Sequence, residues 1–340
     1  MRRSPIARGS RARALAVVLR QVAVCTACPT IPAYHKFPPT AHGRRNARFM
    51  LIGEAPGHAS VENRRQWTGR GGMLLRREIR RLGLDLEDLF YLTNVVKCWP
   101  ARPGRRPGNR SPLRSEVRRC GSFLAAEIAA VDPTVIVAVG AISAREITGQ
   151  PVRLPDDHGR RLRIGSCEVV VLLHPANANR HRRVWRTYRV SLLGLFAELA
   201  VRAGFAIVEV TAAVIARDGR YLVAQRTAGQ HLGGMWEFPG GKRRLRESLE
   251  SCLERELREE LGVDAVVGER MAVVPWSYPT RRVVLHFFRC EIGRKPPKPR
   301  EGQSIRWVTP RELGSLPLPP ADAEVVRRLG RSRNGAGARP

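Results

Sequence analysis

The chain has 340 residues, 43% hydrophobic and 26% charged, a balance that supports a buried core and a length that suits two domains rather than one. Basic residues number 60, of which only five are lysine, against 30 acidic ones, and residues 1–204 carry +22 of the net +30, so that half is expected to meet polyanions. The apolar runs fall short of the roughly 18 to 20 residues that cross a bilayer, the Arg-rich start lacks a cleavage site, and seven cysteines are an odd number for a disulfide framework; a soluble, cytoplasmic protein without a membrane partner is expected.

Residues 1–13 and 331–340 are poor in apolar groups and are expected to be disordered tails, leaving a first domain over 14–204 and a second over 205–330. In chain order, Leu15 to Val24 predicts a helix leading into Cys25-Thr-Ala-Cys28, and Pro29 to His42 reads as loop. Four short apolar runs follow at Phe49 to Ile52, Phe90 to Thr93, Val135 to Val139 and Val169 to Leu173. They alternate with helical stretches at Gly72 to Leu82, Glu116 to Ala130 and Ala141 to Ile147, the pattern of a parallel sheet covered on both faces. The runs end in Gly53-Glu54-Ala55-Pro56-Gly57, in Asn94, in Gly140 and in His174-Pro175, so polar and glycine residues gather at the carboxyl edge, where open α/β sheets place their ligands. Cys25, Cys28, Cys98 and Cys120 are four candidate ligands whose spacing suits either zinc or an iron-sulfur cluster, whereas Cys167, Cys252 and Cys290 read as buried thiols.

The first-half motifs, in order, are Gly53 to Gly57, Gly69 to Leu75, Thr93 to Cys98, Asn109-Arg110-Ser111-Pro112 and His174-Pro175-Ala176. Together they resemble the family 4 uracil-DNA glycosylases over about residues 20–200. The resemblance implies an α/β three-layer domain around a parallel sheet, a 4Fe-4S cluster on Cys25, Cys28, Cys98 and Cys120, and uracil-containing DNA, single or double stranded, as partner. It assigns Asn94 to the uracil edge, Trp67 to stacking, Ala55 to the substrate-binding loop, His174 to the carbonyl oxygen that gathers charge, and Glu54 to the sugar. Two positions depart from the family: Ser60-Val61 stands where an acidic pair is usual, and Gln66-Trp67 where Pro-Phe is usual. These departures leave open a non-catalytic DNA-binding or lesion-binding module, or excision of another deaminated base. Between Cys98 and Cys120 lies a long stretch with Arg102, Arg105, Arg106, Arg110 and Arg114, suited to phosphates, and Asn177 to Arg183 is expected at the DNA groove.

The pattern changes near Gly204. Ile207 to Ile215 and Tyr221 to Ala224 predict a hairpin about Arg217-Asp218-Gly219-Arg220, followed by a charged helix over Ser248 to Leu261 and strands at Val283 to Cys290 and Ser304 to Val308. On that helix Glu256, Glu259 and Glu260 share one face, while Leu249, Leu253, Leu257 and Leu261 repeat on the other. Adjacent carboxylates repel unless a hard cation binds them, and glycines at 240 and 241 would let a backbone carbonyl approach the same ion. The string from Gly241 through Glu247 and Arg255 to Val263 matches the signature of the Nudix hydrolases, and Trp236 to Lys242 looks like the MutT type, over about Phe205 to Leu329.

This second resemblance implies an α/β/α sandwich with a mixed sheet that hydrolyses nucleoside triphosphates, oxidised ones included, to a monophosphate and pyrophosphate. It implies Mg²⁺ or Mn²⁺ on Gly241, Glu256, Glu259 and Glu260, a further catalytic glutamate at Glu301, and substrate contacts at Arg226 and at Asp322, where the MutT type has an asparagine. The two resemblances together imply one bifunctional repair and nucleotide-pool enzyme.

Overall fold

In the computed structural model, residues 8–31, 42–43, 47–102, 108–179, 182–278 and 281–334 are described. The chain divides into two compact units, Met1–Tyr188 and Arg189–Pro340.

The first unit opens with α1 (Arg8–Val24), followed by β1 (His42–Gly43), β2 (Phe49–Gly53), α2 (His58–Glu62), α3 (Arg70–Arg80), α4 (Leu86–Leu89) and β3 (Phe90–Asn94). It continues through α5 (Arg114–Val131), β4 (Val135–Val139), α6 (Ala141–Thr148), β5 (Arg161–Ile164), β6 (Cys167–Leu172) and α7 (Pro175–Ala178). The next helix, α8 (Arg182–Arg202), runs through the division between the units, and the expected boundary at Gly204 falls just beyond its end. The sheet order is β1-β3-β2-β4-β6-β5, with the inner four strands parallel and the two edge strands antiparallel. Every residue of β2, β3 and β4 is buried, as expected for apolar runs covered on both faces. The edge strand β5, which the apolar pattern does not reveal, is Arg-Leu-Arg-Ile and mostly exposed; its charges discourage further strand pairing.

The second unit contains β7 (Ile207–Arg217), β8 (Arg220–Gln225), β9 (Trp236–Glu237), α9 (Leu249–Leu261), β10 (Ala265–Tyr278), β11 (Arg281–Ile292), β12 (Ser304–Val308), α10 (Pro310–Ser315) and α11 (Pro320–Asn334). Its mixed sheet has the order β10-β11-β7-β8-β12, with β9 paired to β8. The period of two along β7 builds two cores. Ala213 and Ile215 pack with Leu253, Leu257 and Leu261 of α9, whereas Ala212 and Val214 pack with Leu313 of α10 and Ala321 and Val325 of α11. An α/β/α sandwich results.

Three expectations change. The hairpin pairs only at Ala216↔Tyr221 and Arg217↔Arg220, about a turn with Asp218 (φ 49°) and Gly219 (φ 74°), both left-handed as a tight hairpin requires. Beyond it β7 pairs in parallel with β11, while β8 pairs with β12 and β9. The segment expected to be an N-terminal tail is helical from Arg8, and the Arg11 guanidinium donates to Asp132 at 2.7 Å, giving α1 a tertiary anchor that composition does not disclose. Helix α11 likewise continues to Asn334, so the expected C-terminal tail is helical over 331–334; residues 1–7 and 335–340 lie outside the described residues.

Candidate functional sites

The four cysteines expected as ligands come from separate parts of the first unit: Cys25 and Cys28 follow α1, Cys98 follows β3, and Cys120 is on α5. They line one cavity of about 250 Å³ together with Ile31, Lys97 and Phe123. Burial pushes the Cys28 thiol up, with Glu116 and Cys25 adding to the effect, and burial likewise raises Cys120, where Lys97 opposes it. Among the described residues no three His, Cys, Asp or Glu side chains converge tightly enough to hold one ion as they stand. The thiols border a space, not a point. Lys97, 1% exposed, also ties this wall to the sheet edge: its Nζ donates to Glu127 (2.6 Å), to the Thr93 hydroxyl (3.0 Å) and to the carbonyl of Asn94 (2.7 Å).

At the carboxyl edge Gly53 stands in register with Asn94 across β2 and β3. A Cβ on Gly53 would lie 2.4 Å from Asn94 Oδ1 and 2.8 Å from the Trp67 ring, so both side chains reach the same point beside bare backbone. Asn94 is buried, and its Nδ2 donates to Gln66 Oε1 at 2.9 Å. Trp67 holds a left-handed backbone (φ 59°) and lies nearly parallel to the His174 ring, with 6.2 Å between centroids. That strained loop is fastened by Arg76, which donates to the carbonyls of Gln66 (2.7 Å) and Trp67 (3.1 Å) and to Glu87 (2.7 Å). Burial would raise Glu87, but Arg76 and Arg65 hold its carboxyl down at about 2.

His174 caps α7, and its Nδ1 accepts from the Ala176 N–H at 3.3 Å. Nδ1 is thereby the acceptor of a neutral imidazole, the proton sits on Nε2, and burial pushes the pKa down so that this neutral form is favoured. Glu54 is pushed up by burial, against a hydrogen bond from Ser111. Ala55 packs against the core beside it. Asn109 accepts from the His58 N–H (3.1 Å) and from Trp99 Nε1 (2.8 Å), fixing the loop that begins at Glu54.

Of the loop arginines, Arg110 is turned inward to Glu116 (2.6 Å), because that buried carboxylate needs a partner; Arg102 and Arg114 are exposed, and Arg105 and Arg106 lie outside the described residues. In the segment expected at the groove, residues 180–181 are likewise outside them.

In the second unit a cavity of about 450 Å³ brings together Arg226, Gly241, Glu256, Glu260, Glu301 and Asp322. A Cβ on Gly241 would lie 2.3 Å from the Glu256 carboxyl carbon, so this carboxylate too rests on bare backbone. The Gly241 carbonyl accepts from the Thr211 N–H at 2.8 Å, because residues 239–243 bond alongside β7. Glu259 does not join the cavity lining; it is 42% exposed and paired with Arg255 (2.9 Å) and Arg244 (3.3 Å). Arg255 also donates to Glu247 (2.8 Å) and Glu256 (2.7 Å), so one guanidinium sets three carboxylates.

Burial and the charges of Glu256, Glu237 and Glu301 push Glu260 up to about 8. Burial, reinforced by Glu237, pushes Asp322 up to about 7, although it accepts from the Phe238 N–H at 3.1 Å. Glu237 is paired with Arg226. Gln66, Arg76, Lys97 and Glu237 were not among the expected site residues; the departure from Pro-Phe marked the position of Gln66, while for Arg76 and Lys97 only burial of a long basic side chain marks them.

Residues 40–192 match the uracil DNA glycosylase superfamily and residues 210–328 match the NUDIX domain. A type-4 uracil-DNA glycosylase of Thermotoga maritima is 34% identical over 175 residues, 51% of this chain and 87% of that protein. A CTP pyrophosphohydrolase of Escherichia coli is 42% identical over 120 residues, 35% of this chain and 89% of that protein. An 8-oxo-dGTP diphosphatase of Haemophilus influenzae is 36% identical over 124 residues, 36% of this chain and 91% of that protein. The chain belongs to the uracil DNA glycosylase superfamily through its first half and to the NUDIX family through its second. Both halves place it among hydrolases.

Because Glu127 is 0% exposed, Lys97→Met leaves a buried carboxylate unpaired, and urea unfolding of the first unit is expected to show a loss of about 3–5 kcal/mol. An unchanged transition contradicts the pairing.

Proposed function

We propose that the chain catalyses two hydrolytic reactions: excision of uracil from DNA in the first unit and hydrolysis of nucleoside triphosphates to monophosphate and pyrophosphate in the second. The observation that carries the first is the meeting of Asn94 and Trp67 beside Gly53 at the carboxyl edge of the sheet, with the neutral His174 ring stacked 6.2 Å from that of Trp67. A flipped uracil presents an N–H and a carbonyl to the Asn94 amide, and the indole of Trp67 supplies a flat wall. His174 donates from Nε2 to the base carbonyl as the bond from C1′ to N1 breaks and electrons move into the ring. Water delivers its oxygen to C1′ and its proton ends on the departing base; Glu54, as carboxylate, stabilises the sugar cation or orients that water. Exposed arginines, Arg102 and Arg114 among them, and the +22 of residues 1–204 suit the DNA backbone.

The four thiols line one cavity, and by the resemblance of this unit Cys25, Cys28, Cys98 and Cys120 would hold a 4Fe-4S cluster there. Such a cluster would cross-link Cys25, Cys28, Cys98 and Cys120, bracing Lys97 and through it the Asn94 backbone.

In the second unit, burial and the neighbouring carboxylates lift Glu260 to about 8, a penalty that a divalent cation would offset, so the donor set fits one, with Glu256 and Glu260 as the cavity-facing ligands and Glu259 at the rim. Mg²⁺ or Mn²⁺ supplies charge neutralisation for the polyphosphate and an activated water. Arg255 orients Glu256 and Glu259, Glu301 reaches the cavity from β12's approach, and Arg226 and Asp322 line the same space for sugar and base. Water adds to phosphorus, the phosphate bridge breaks, and pyrophosphate leaves. The relatives named for CTP and for 8-oxo-dGTP support a triphosphate whose base is a pyrimidine or an oxidised purine, read by Asp322.

Excision from a labelled single-stranded oligonucleotide holding one uracil, followed by alkaline cleavage, tests the first reaction. His174→Ala should slow it by about 10²–10³, and intact DNA that is nevertheless bound would make this unit a recognition module instead. Because Glu54 acts as carboxylate and burial raises it, the rate should fall on acidification at a pH above the ordinary carboxylate value, and an acid limb unchanged in Glu54→Gln contradicts the assignment. For the second reaction, phosphorus NMR of Mg²⁺-dependent turnover should show monophosphate and pyrophosphate, reduced at least about 100-fold in Glu260→Gln. Nucleoside diphosphate and inorganic phosphate as products would contradict it.

A further inference from the structure

The oxygen and nitrogen of an asparagine amide are close in size, so packing alone does not choose which faces a ligand. For a base-reading asparagine the choice decides everything. With Oδ1 toward N3–H and an Nδ2 hydrogen toward O4 it accepts uracil; turned over, it presents a donor to the N3 acceptor of cytosine and an acceptor to the amino group at C4.

Asn94 is 4% exposed, and its Oδ1 lies over the bare backbone of Gly53. Among the described residues, the hydrogen bond made by its amide runs from Nδ2 to Gln66 Oε1 at 2.9 Å. Gln66 is itself 1% exposed, and its backbone carbonyl is held by the buried Arg76, which in turn is fixed by Glu87. Proline, usual at this position in the family that the first half resembles, has no side-chain acceptor to offer.

We propose that Gln66 is a positioning residue that fixes the orientation of the Asn94 amide, and so sets the preference for uracil over cytosine. The inference rests on the glycosylase reading of this unit. Gln66 touches no base. Its oxygen takes one Nδ2 hydrogen and leaves the other, with Oδ1, for the base; with the Gln66 amide held as it stands, turning Asn94 over would set its Oδ1 against Gln66 Oε1.

The test compares inhibition of excision by free uracil and by free cytosine in the full-length protein, for wild type, Gln66→Leu and Gln66→Glu. Loss of folded protein lowers the rate but leaves the ratio of the two inhibition constants untouched, so the ratio reports orientation and not stability. In wild type uracil should inhibit far more strongly than cytosine. Gln66→Leu should narrow the ratio about tenfold, the scale of one net hydrogen bond, and Gln66→Glu, which still accepts from Nδ2, should hold it within about threefold. A Gln66→Leu ratio equal to wild type, or a Gln66→Glu ratio narrowed as far as that of Gln66→Leu, overturns the proposal. Wild type that neither excises uracil nor responds to it overturns the glycosylase reading and this inference with it, an outcome distinct from active enzyme with unaltered discrimination.

Discussion

Close approach of a polar side chain to a backbone that lacks a Cβ is the constraint on which both sites depend. Beside Gly53 the Asn94 amide oxygen lies 2.4 Å from where a Cβ would stand, and beside Gly241 the Glu256 carboxyl carbon lies 2.3 Å from it. Each glycine sits where a strand edge or the segment bonded along it brings two chain segments together, Gly53 opposite Asn94 in the parallel register and residues 239–243 alongside β7. The sheet therefore fixes the functional group through backbone pairing, and the missing methyl lets that group rest within the wall of its cavity.

Around these two points the chain sets buried charge in opposite ways. In the first unit three deeply placed charges have close counterparts: Lys97 with Glu127, Arg76 with Glu87, Arg110 with Glu116. Such pairs add little net stability, but they hold geometry, because loss of either partner strands the other. In the second unit Arg255 satisfies Glu247, Glu256 and Glu259, yet Glu260 and Asp322 remain short of positive neighbours and are pushed up to about 8 and about 7. In the first site burial favours the neutral form of His174, whereas in the second burial and neighbouring carboxylates raise Glu260.

Much of this was legible in the sequence because its signals are local. Apolar runs without alternation gave the parallel strands, and the four-residue leucine repeat gave the buried face of α9, where Leu253, Leu257 and Leu261 are at most 1% exposed. The ends of the runs put Glu54, Asn94 and His174 at the carboxyl ends of β2, β3 and β6. What stayed hidden depends on contacts between distant residues. Nothing local to Arg76 says that its guanidinium is buried beneath the Gln66-Trp67 loop, and nothing near Arg8 says that α1 begins there, because the anchor of that helix is Asp132. The β7 to β8 hairpin was read from its turn, but the turn holds only two residue pairs while the parallel partner, β11, lies far along the chain.

The central claim is that one chain holds two chemically separate hydrolytic sites. Assaying one preparation for both reactions, with Glu260→Gln and the Asn94→Ala/His174→Ala pair as reciprocal variants, tests it most directly. Each variant should lose one reaction and retain the other within about threefold, as independent sites behave. Loss of both reactions in either variant, with the fold intact, would contradict two separate sites.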